Sequence, residues 1–312
     1  MSTTPSPSEI AYTIVGDRSV RDSGQLTAIV LNRGGRQTRA DALERLFESG
    51  FAHALVVLGP SPQYDVEQLA SRLPNTRFLL LPRSMSVGEL INTAMREVDT
   101  RYAMTLWSDM EVAPIGTRAF EQMESLDRVC VVPLLRSERG ETLPSVIAPA
   151  FFKSTLRTIP SQPGTPGALS LIPFADVGIY NVERFAATGG FDALIENTYW
   201  QRIEFGFRAF LWGEEIATAP AFRVSLTRPV PPENTTPDAS YARFHLKSLA
   251  VRFAGDEGRL PARGIVGFVL RSGLPLPTAI ETFRSVRDWV AQNRYRFVQD
   301  ARRVTELWEI EQ

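Results

Sequence analysis

Asp109 and Glu111 stand one residue apart at the end of an apolar run, Tyr102–Trp107, with Pro114 close behind. Side chains two apart on an extended chain share a side, so the two carboxylates could address one divalent cation. A hard ion held by one or two carboxylates plus substrate phosphates is the usual Mg2+ or Mn2+ arrangement. A solvated strand end supplies the same D-x-E pattern by chance, so the surrounding elements decide its meaning. Other candidates are thinner. His53 and His245 lack metal-ligand spacing. The single cysteine, Cys130, lies in an apolar run with no histidine nearby in sequence and reads as a small buried residue.

The elements that must position these side chains alternate through the first half. Leu26–Leu31 is a continuous apolar strand ending at Asn32-Arg33-Gly34-Gly35, and Thr38 reads as the N-cap of the helix after it. Strands are expected at 54–58 and 77–81, and a helix at 87–98 opened by a Ser86/Glu89 capping box. The strand Tyr102–Trp107 then delivers Asp109. Strand and helix in alternation predict an open, mostly parallel α/β sheet, whose ligands gather at the carboxyl ends of the strands. The second half changes character. A strand at 128–135 is expected to pair with one at 145–152, a Pro/Gly/Ser-rich loop follows at 160–173, and a helix at 199–212 precedes a Pro-rich linker at 227–237. Helices are expected at 239–253 and 278–309.

Composition excludes several classes. The 312 residues carry 34 Lys plus Arg against 35 Asp plus Glu, a net charge of −1, which argues against a nucleic-acid partner. Hydrophobic residues make up 44 %, so the chain can build a core. No apolar run approaches a membrane span, and one cysteine permits no internal disulfide, which suits a reducing, cytoplasmic setting. The opening segment reads as a flexible arm over 1–24, followed by a main domain over 25–228 and a helical extension over 229–312. Basic residues are almost all Arg; only Lys153 and Lys247 are lysines.

From Leu26 to Pro220 the chain resembles the family-2 glycosyltransferases of GT-A fold. The residues that carry the resemblance are LTAIVLNR, Gly88-x-x-x-Asn92, Asp109-x-Glu111 followed by Pro114, VGIYNVERFAATGGFD, and YWQRIEFGFRAFLWGEEIATAP. It implies inverting transfer of a sugar from a nucleotide-sugar donor to a hydroxyl of a saccharide or lipid-linked acceptor. Asp109 and Glu111 would hold Mg2+ or Mn2+ on the diphosphate. Asn32, Arg33, Arg36, Gly59, Arg83, Asn92 and Asp109 would surround the nucleotide. Trp200 and Asp192 would meet the acceptor.

The sequence departs from the family's pattern at the proton acceptor. Aligned on Arg208, the usual base position holds Arg202, which cannot take a proton at neutral pH. Glu204 matches the motif's third acid and Glu196 precedes the helix, so these two are the candidate bases; Glu204 could equally be a helix acid paired with Arg208. The Asp that often reads the nucleobase after the second strand is also missing, and so is a histidine after the last strand. Two alternatives stand beside the enzyme: a catalytically silent GT-A domain that binds nucleotide-sugar or serves as an interaction module, and a nucleotidyltransferase with a related sheet. The basic, amphipathic segment 278–309 is expected to pack on the main domain, a partner subunit or a membrane surface.

Overall fold

The computed structural model describes residues 11–17, 25–33, 40–60, 65–152, 155–306 and 308. Arg36, the Gly34-Gly35 turn and the Thr38 cap lie outside them. Apolar runs become strands where the alternation expects them: β1 (Thr13–Val15), β2 (Leu26–Leu31), β3 (His53–Leu58), β4 (Thr76–Leu80), β5 (Tyr102–Trp107), β6 (Met110–Val112) and β7 (Cys130–Arg136). The hairpin β8 (Val146–Phe152) and β9 (Thr155–Ser161) follows, then β10 (Gly178–Asn181) and β11 (Ile216–Leu226).

Among the described residues the central sheet has nine strands in the order β1-β4-β3-β2-β5-β10-β7-β11-β6. Strands β4, β3, β2, β5, β7 and β11 run one way; β1, β10 and β6 run against them. Strands β2 and β5 are buried along their whole length, as expected of strands covered on both faces. The helices that cover the sheet include α1 (Ala40–Glu48), α2 (Val66–Arg72), α3 (Val87–Met95), α4 (Thr117–Leu126), α5 (Val182–Thr188) and α6 (Thr198–Leu211). The Ser86/Glu89 capping box is formed at the start of α3.

Four expectations are corrected. Thr13–Val15 pair antiparallel with β4, so the arm is not free throughout. Strand β8 pairs with β9 and not with β7, which leaves Tyr180 of β10 to pair with Cys130. The helix expected at 239–253 is α7 (Ala239–Phe244) with a widened turn, His245–Leu249, followed by β12 (Arg252–Ala254), which pairs with β13 (Glu257–Arg259). A further helix, α8 (Gly264–Arg271), precedes α9 (Leu276–Gln292), and α10 (Ala301–Glu306) ends the series, so the single helix expected at 278–309 is broken. The break lets the chain turn back: Phe297 is buried against Trp212, and Ala301 and Val304 are buried too.

Candidate functional site

The site begins where β2 and β5 leave the sheet. Leu31 is in register with Trp107, so Asn32-Arg33 and Ser108-Asp109 emerge side by side. The Ser108 hydroxyl meets Asn32 Oδ1 at 3.4 Å, Arg33 approaches Asp109 at 3.8 Å, and the Arg33 guanidinium lies 4.3 Å over the Trp107 ring. Asp109 is pinned through its backbone, since the amide and hydroxyl of Thr227 both donate to its carbonyl. Its Oδ1 is buried without a hydrogen-bond partner among the described residues.

Glu111 does not join it. Ser108 and Asp109 form a turn between β5 and β6, so the extended geometry that would align the two carboxylates is interrupted. Glu111 instead meets Arg45 of α1 at 3.5 Å and lines a separate depression of about 240 Å³ with Ser49 and Pro114. The expectation of a paired D-x-E metal site is therefore corrected. Among the described residues no group of three or more His, Cys, Asp or Glu could hold a metal. What does fit a divalent ion is Asp109 alone, with its unpartnered buried oxygen, if substrate phosphates complete the shell.

A cleft of about 640 Å³ opens beside Arg33 and Trp107. Its floor is Ala175 and Asp176, one wall is Glu196–Tyr199 with Arg202 of α6, and the other is the Pro-rich segment carrying Val230 and Glu233. Ala175 and Asp176 both adopt left-handed backbone, φ 53° and 61°. Such strain in non-glycine residues persists only where neighbours hold it, and it concentrates at functional sites. Here the Trp107 indole donates to the Ala175 carbonyl at 2.7 Å and the Thr105 hydroxyl to the Asp176 carbonyl at 2.5 Å. The Asp176 carboxylate faces Arg202 at 3.2 Å, and Arg202 also binds Glu233 across the cleft. Burial raises the Asp176 carboxyl, against the pull of Arg202. Burial works against the Arg202 charge too, but Asp176 and Glu233 overcome it and hold its pKa above the ordinary value.

Of the two candidate bases, Glu196 lines this cleft and is exposed to it. Glu204 does not: it is fully buried, 2.8 Å from both Arg208 and Lys247. Burial alone would raise its pKa, yet Arg208 and Lys247 bring it below the ordinary value. That is a structural carboxylate, and its assignment as base is corrected. Asp192 is similarly taken: its Oδ2 meets Arg243 at 2.7 Å and Lys247 at 2.8 Å, and its Oδ1 accepts from the Leu194 amide at 3.0 Å. Trp200 is 5 % exposed, stacked on Phe244, with its indole donating to the Thr236 carbonyl. It is core; its neighbour Tyr199 faces the cleft.

The nucleotide-binding expectations divide in the same way. Arg33 lines the cleft; Asn32, next to it in the chain, accepts from the Ser108 hydroxyl and is not among the lining residues. Gly59 ends β3 at the surface with open space around it. Arg83 turns to Glu89 at 2.9 Å on the surface and is not in the cleft. Asn92 is a staple: its side chain accepts from the Phe191 amide and donates to the Phe191 carbonyl, both at 2.8 Å. Gly190, at φ 67°, fits there because a Cβ would come within 2.4 Å of Asn92 Oδ1. The Gly88 amide likewise donates to Gln201 Oε1 at 2.8 Å. The Gly-x-x-x-Asn and Gly-Gly-Phe-Asp motifs thus lock α3 to α6 and contribute no ligand atoms from these side chains. Asp176, Tyr199 and Glu233 were not singled out from sequence. The one available signal was an acid just ahead of β10, and it reaches the cleft only because β10 runs antiparallel to β5, with Gly178 opposite Thr105.

Sequence comparison is silent: no family model and no curated protein matches the chain. Solved structures are not. GalNAc-T7, crystallised with UDP, GalNAc and Mn2+, superposes with a TM-score of 0.59 at 13 % identity over 88 % of this chain. The chain spans 58 % of that protein's length. S. aureus TarS 1-349 in complex with UDP-GlcNAc gives 0.50 at 11 % identity, covering 84 % of this chain and 71 % of that one. The fold is GT-A-like. At these identities the likeness is one of fold. In the GT-A-like frame, the cleft occupies the carboxyl ends of the parallel strands β2 and β5, where open α/β sheets take their ligands.

Proposed function

We propose that the chain is an inverting glycosyltransferase of the family-2 type, using a nucleotide-sugar, with a UDP-sugar as the first candidate donor. The observation that carries this is Arg33, which approaches Asp109 at 3.8 Å and lines one cleft of a GT-A-like sheet together with Glu196. The structures of GalNAc-T7 with UDP and of TarS with UDP-GlcNAc supply the donor class. Asp109 would hold a shared Mg2+ or Mn2+, which would offset charge on the departing diphosphate. Arg33 adds a fixed positive charge beside the same place. Glu196 takes the proton of the acceptor hydroxyl as its oxygen bonds to the anomeric carbon. The bond from that carbon to the diphosphate breaks, and its electron pair leaves with the nucleotide. Tyr199 orients the acceptor.

We take residues 25–228 as the catalytic unit and 229–312 as its helical extension, with Val230 and Glu233 among the extension's contributions to the cleft. A cytoplasmic setting, consistent with the lone buried Cys130, belongs to the same proposal.

One observation favours a second reading, a silent domain that binds nucleotide-sugar: Arg202 occupies the expected base position and is locked between Asp176 and Glu233. Calorimetric titration with UDP and UDP-GlcNAc, with and without Mn2+, separates the readings when combined with an assay for UDP release. Mn2+-dependent binding lost in Asp109→Asn, with UDP release, supports the enzyme. Binding without release across acceptors supports the silent domain, and no nucleotide binding removes both.

A further inference from the structure

Helix α8 (Gly264–Arg271) turns Phe268 inward, packs Ile265 and Val269 against the core, and leaves two aliphatic side chains outside. Phe268 packs against Phe283 of α9, with ring centroids 6.1 Å apart. Val266 and Leu270, four residues apart on the same face, are 65 % and 79 % exposed, and Leu276 just beyond is 58 % exposed. Three of the large exposed apolar side chains thus fall within eleven consecutive residues, and single scattered ones would need no explanation.

Charge around them is one-sided. From Gly258 to Ile280 the chain has Arg259, Arg263 and Arg271 and no acid. Arg259 is neutralised by Glu257, which leaves Arg263 and Arg271 at the two ends of the α8 face, both on exposed residues. The neighbouring helix does not extend the excess, because Arg284 and Arg287 of α9 are balanced by Glu281 and Asp288.

We propose that this α8 face docks on an anionic lipid surface, with Val266, Leu270 and Leu276 entering the headgroup boundary and Arg263 and Arg271 meeting lipid phosphates. Arginine stems lie along apolar surface while their heads stay with the phosphates. A helix this short with two charges gives weak, reversible attachment that depends on anionic lipid. A second copy of the chain is a poorer occupant. A symmetric contact would set two acid-free cationic windows face to face with nothing to neutralise them. The surface differs from the one the sequence suggested, because the apolar face of α9 is spent inside: Phe283, Val286 and Val290 are buried. The proposal does not depend on the chain's catalytic activity.

The test is flotation of the full chain with vesicles of phosphatidylcholine alone or with about one third phosphatidylglycerol. The expected result is at least roughly tenfold more binding to the anionic vesicles, falling as salt is added. Val266→Asp/Leu270→Asp and, separately, Arg263→Glu/Arg271→Glu should each abolish it while the circular dichroism spectrum is unchanged. Failure to float, equal flotation on both vesicles, or wild-type flotation of both variants would overturn the proposal. So would a dimer in solution that Leu270→Asp converts to monomer, which would give the face to a second copy.

Discussion

Two glutamates, Glu196 and Glu204, show how much a side chain's surroundings decide its chemistry. Glu196 lies open to the cleft, whereas Glu204 is enclosed between Arg208 and Lys247. Glutamine keeps the shape of either and can accept no proton. Glu196→Gln is expected to lower sugar transfer by about 10²- to 10⁴-fold, the usual weight of a general base, with UDP affinity unchanged by calorimetry. Glu204→Gln is expected to act through stability, costing about 3–5 kcal/mol because it leaves buried cations short of a carboxylate, and the urea midpoint reads it. Equal loss of transfer in both variants at equal stability would contradict this division. Cys130 belongs to the same scale. Burial pushes its thiol far up, so it should resist thiol reagents until the protein is unfolded.

Helix α6 is the element on which the site depends, because it carries Tyr199 and Arg202 into the cleft and Gln201 and Glu204 into the interior. Its close approach is set by Gly206, where a Cβ would stand 1.9 Å from the Leu171 carbonyl oxygen. That backbone cannot easily retreat, since the Leu171 amide is bonded to the Ile147 carbonyl at 2.7 Å. Gly206→Ala is therefore expected to cost at least about 1–3 kcal/mol, measured as a lowered urea midpoint. Elements built from local signals were legible in sequence: the buried runs of β2 and β5 and the Ser86/Glu89 capping box formed as read. Those that depend on a partner were not. The pattern from 278 to 309 continues through Asn293, but an unbroken helix would not bring Phe297 back to Trp212. The turn at Ser108-Asp109 parts Asp109 from Glu111 for a similar reason, since β6 must leave β5 to pair with β11.

Across the whole molecule, Lys247 ties the C-terminal helices to the sheet domain by sharing its charge between Asp192 and Glu204. Both carboxyls are held below their ordinary values. Burial opposes this in each, but Lys247 and Arg243 prevail at Asp192, and Arg208 and Lys247 at Glu204. A depressed carboxyl contributes stability that is complete above its unfolded value, about pH 4, and is lost as pH falls through the folded value. Melting temperature should therefore drop in acid below about pH 4. Lys247→Met leaves two carboxylates without their shared cation, so it should cost about 3–5 kcal/mol at neutral pH. The acid-induced loss below about pH 4 should then be smaller than in the wild type, because Lys247 is one of the charges that depress both carboxyls. Asp176, raised by burial, titrates with the opposite sign, and comparison of the two proteins cancels it.

By itself the sequence determined the α/β alternation, the strand ends where ligands gather, Arg33 and Asp109 each at such an end, and Glu196 as an acid ahead of α6. Each rests on short-range physics: apolar periodicity, capping and strand length. Only the tertiary structure decided which motif residues face the cleft. Asn92, Asp192, Trp200 and Glu204 are motif residues drawn into packing, because burial makes their polar atoms seek partners on distant elements. Asp176 and Glu233 entered the site through the antiparallel placement of β10 and the path of the Pro-rich segment, and both meet Arg202 there. Pairing direction and side-chain partnership depend on residues far apart in the chain, and periodicity carries no record of them.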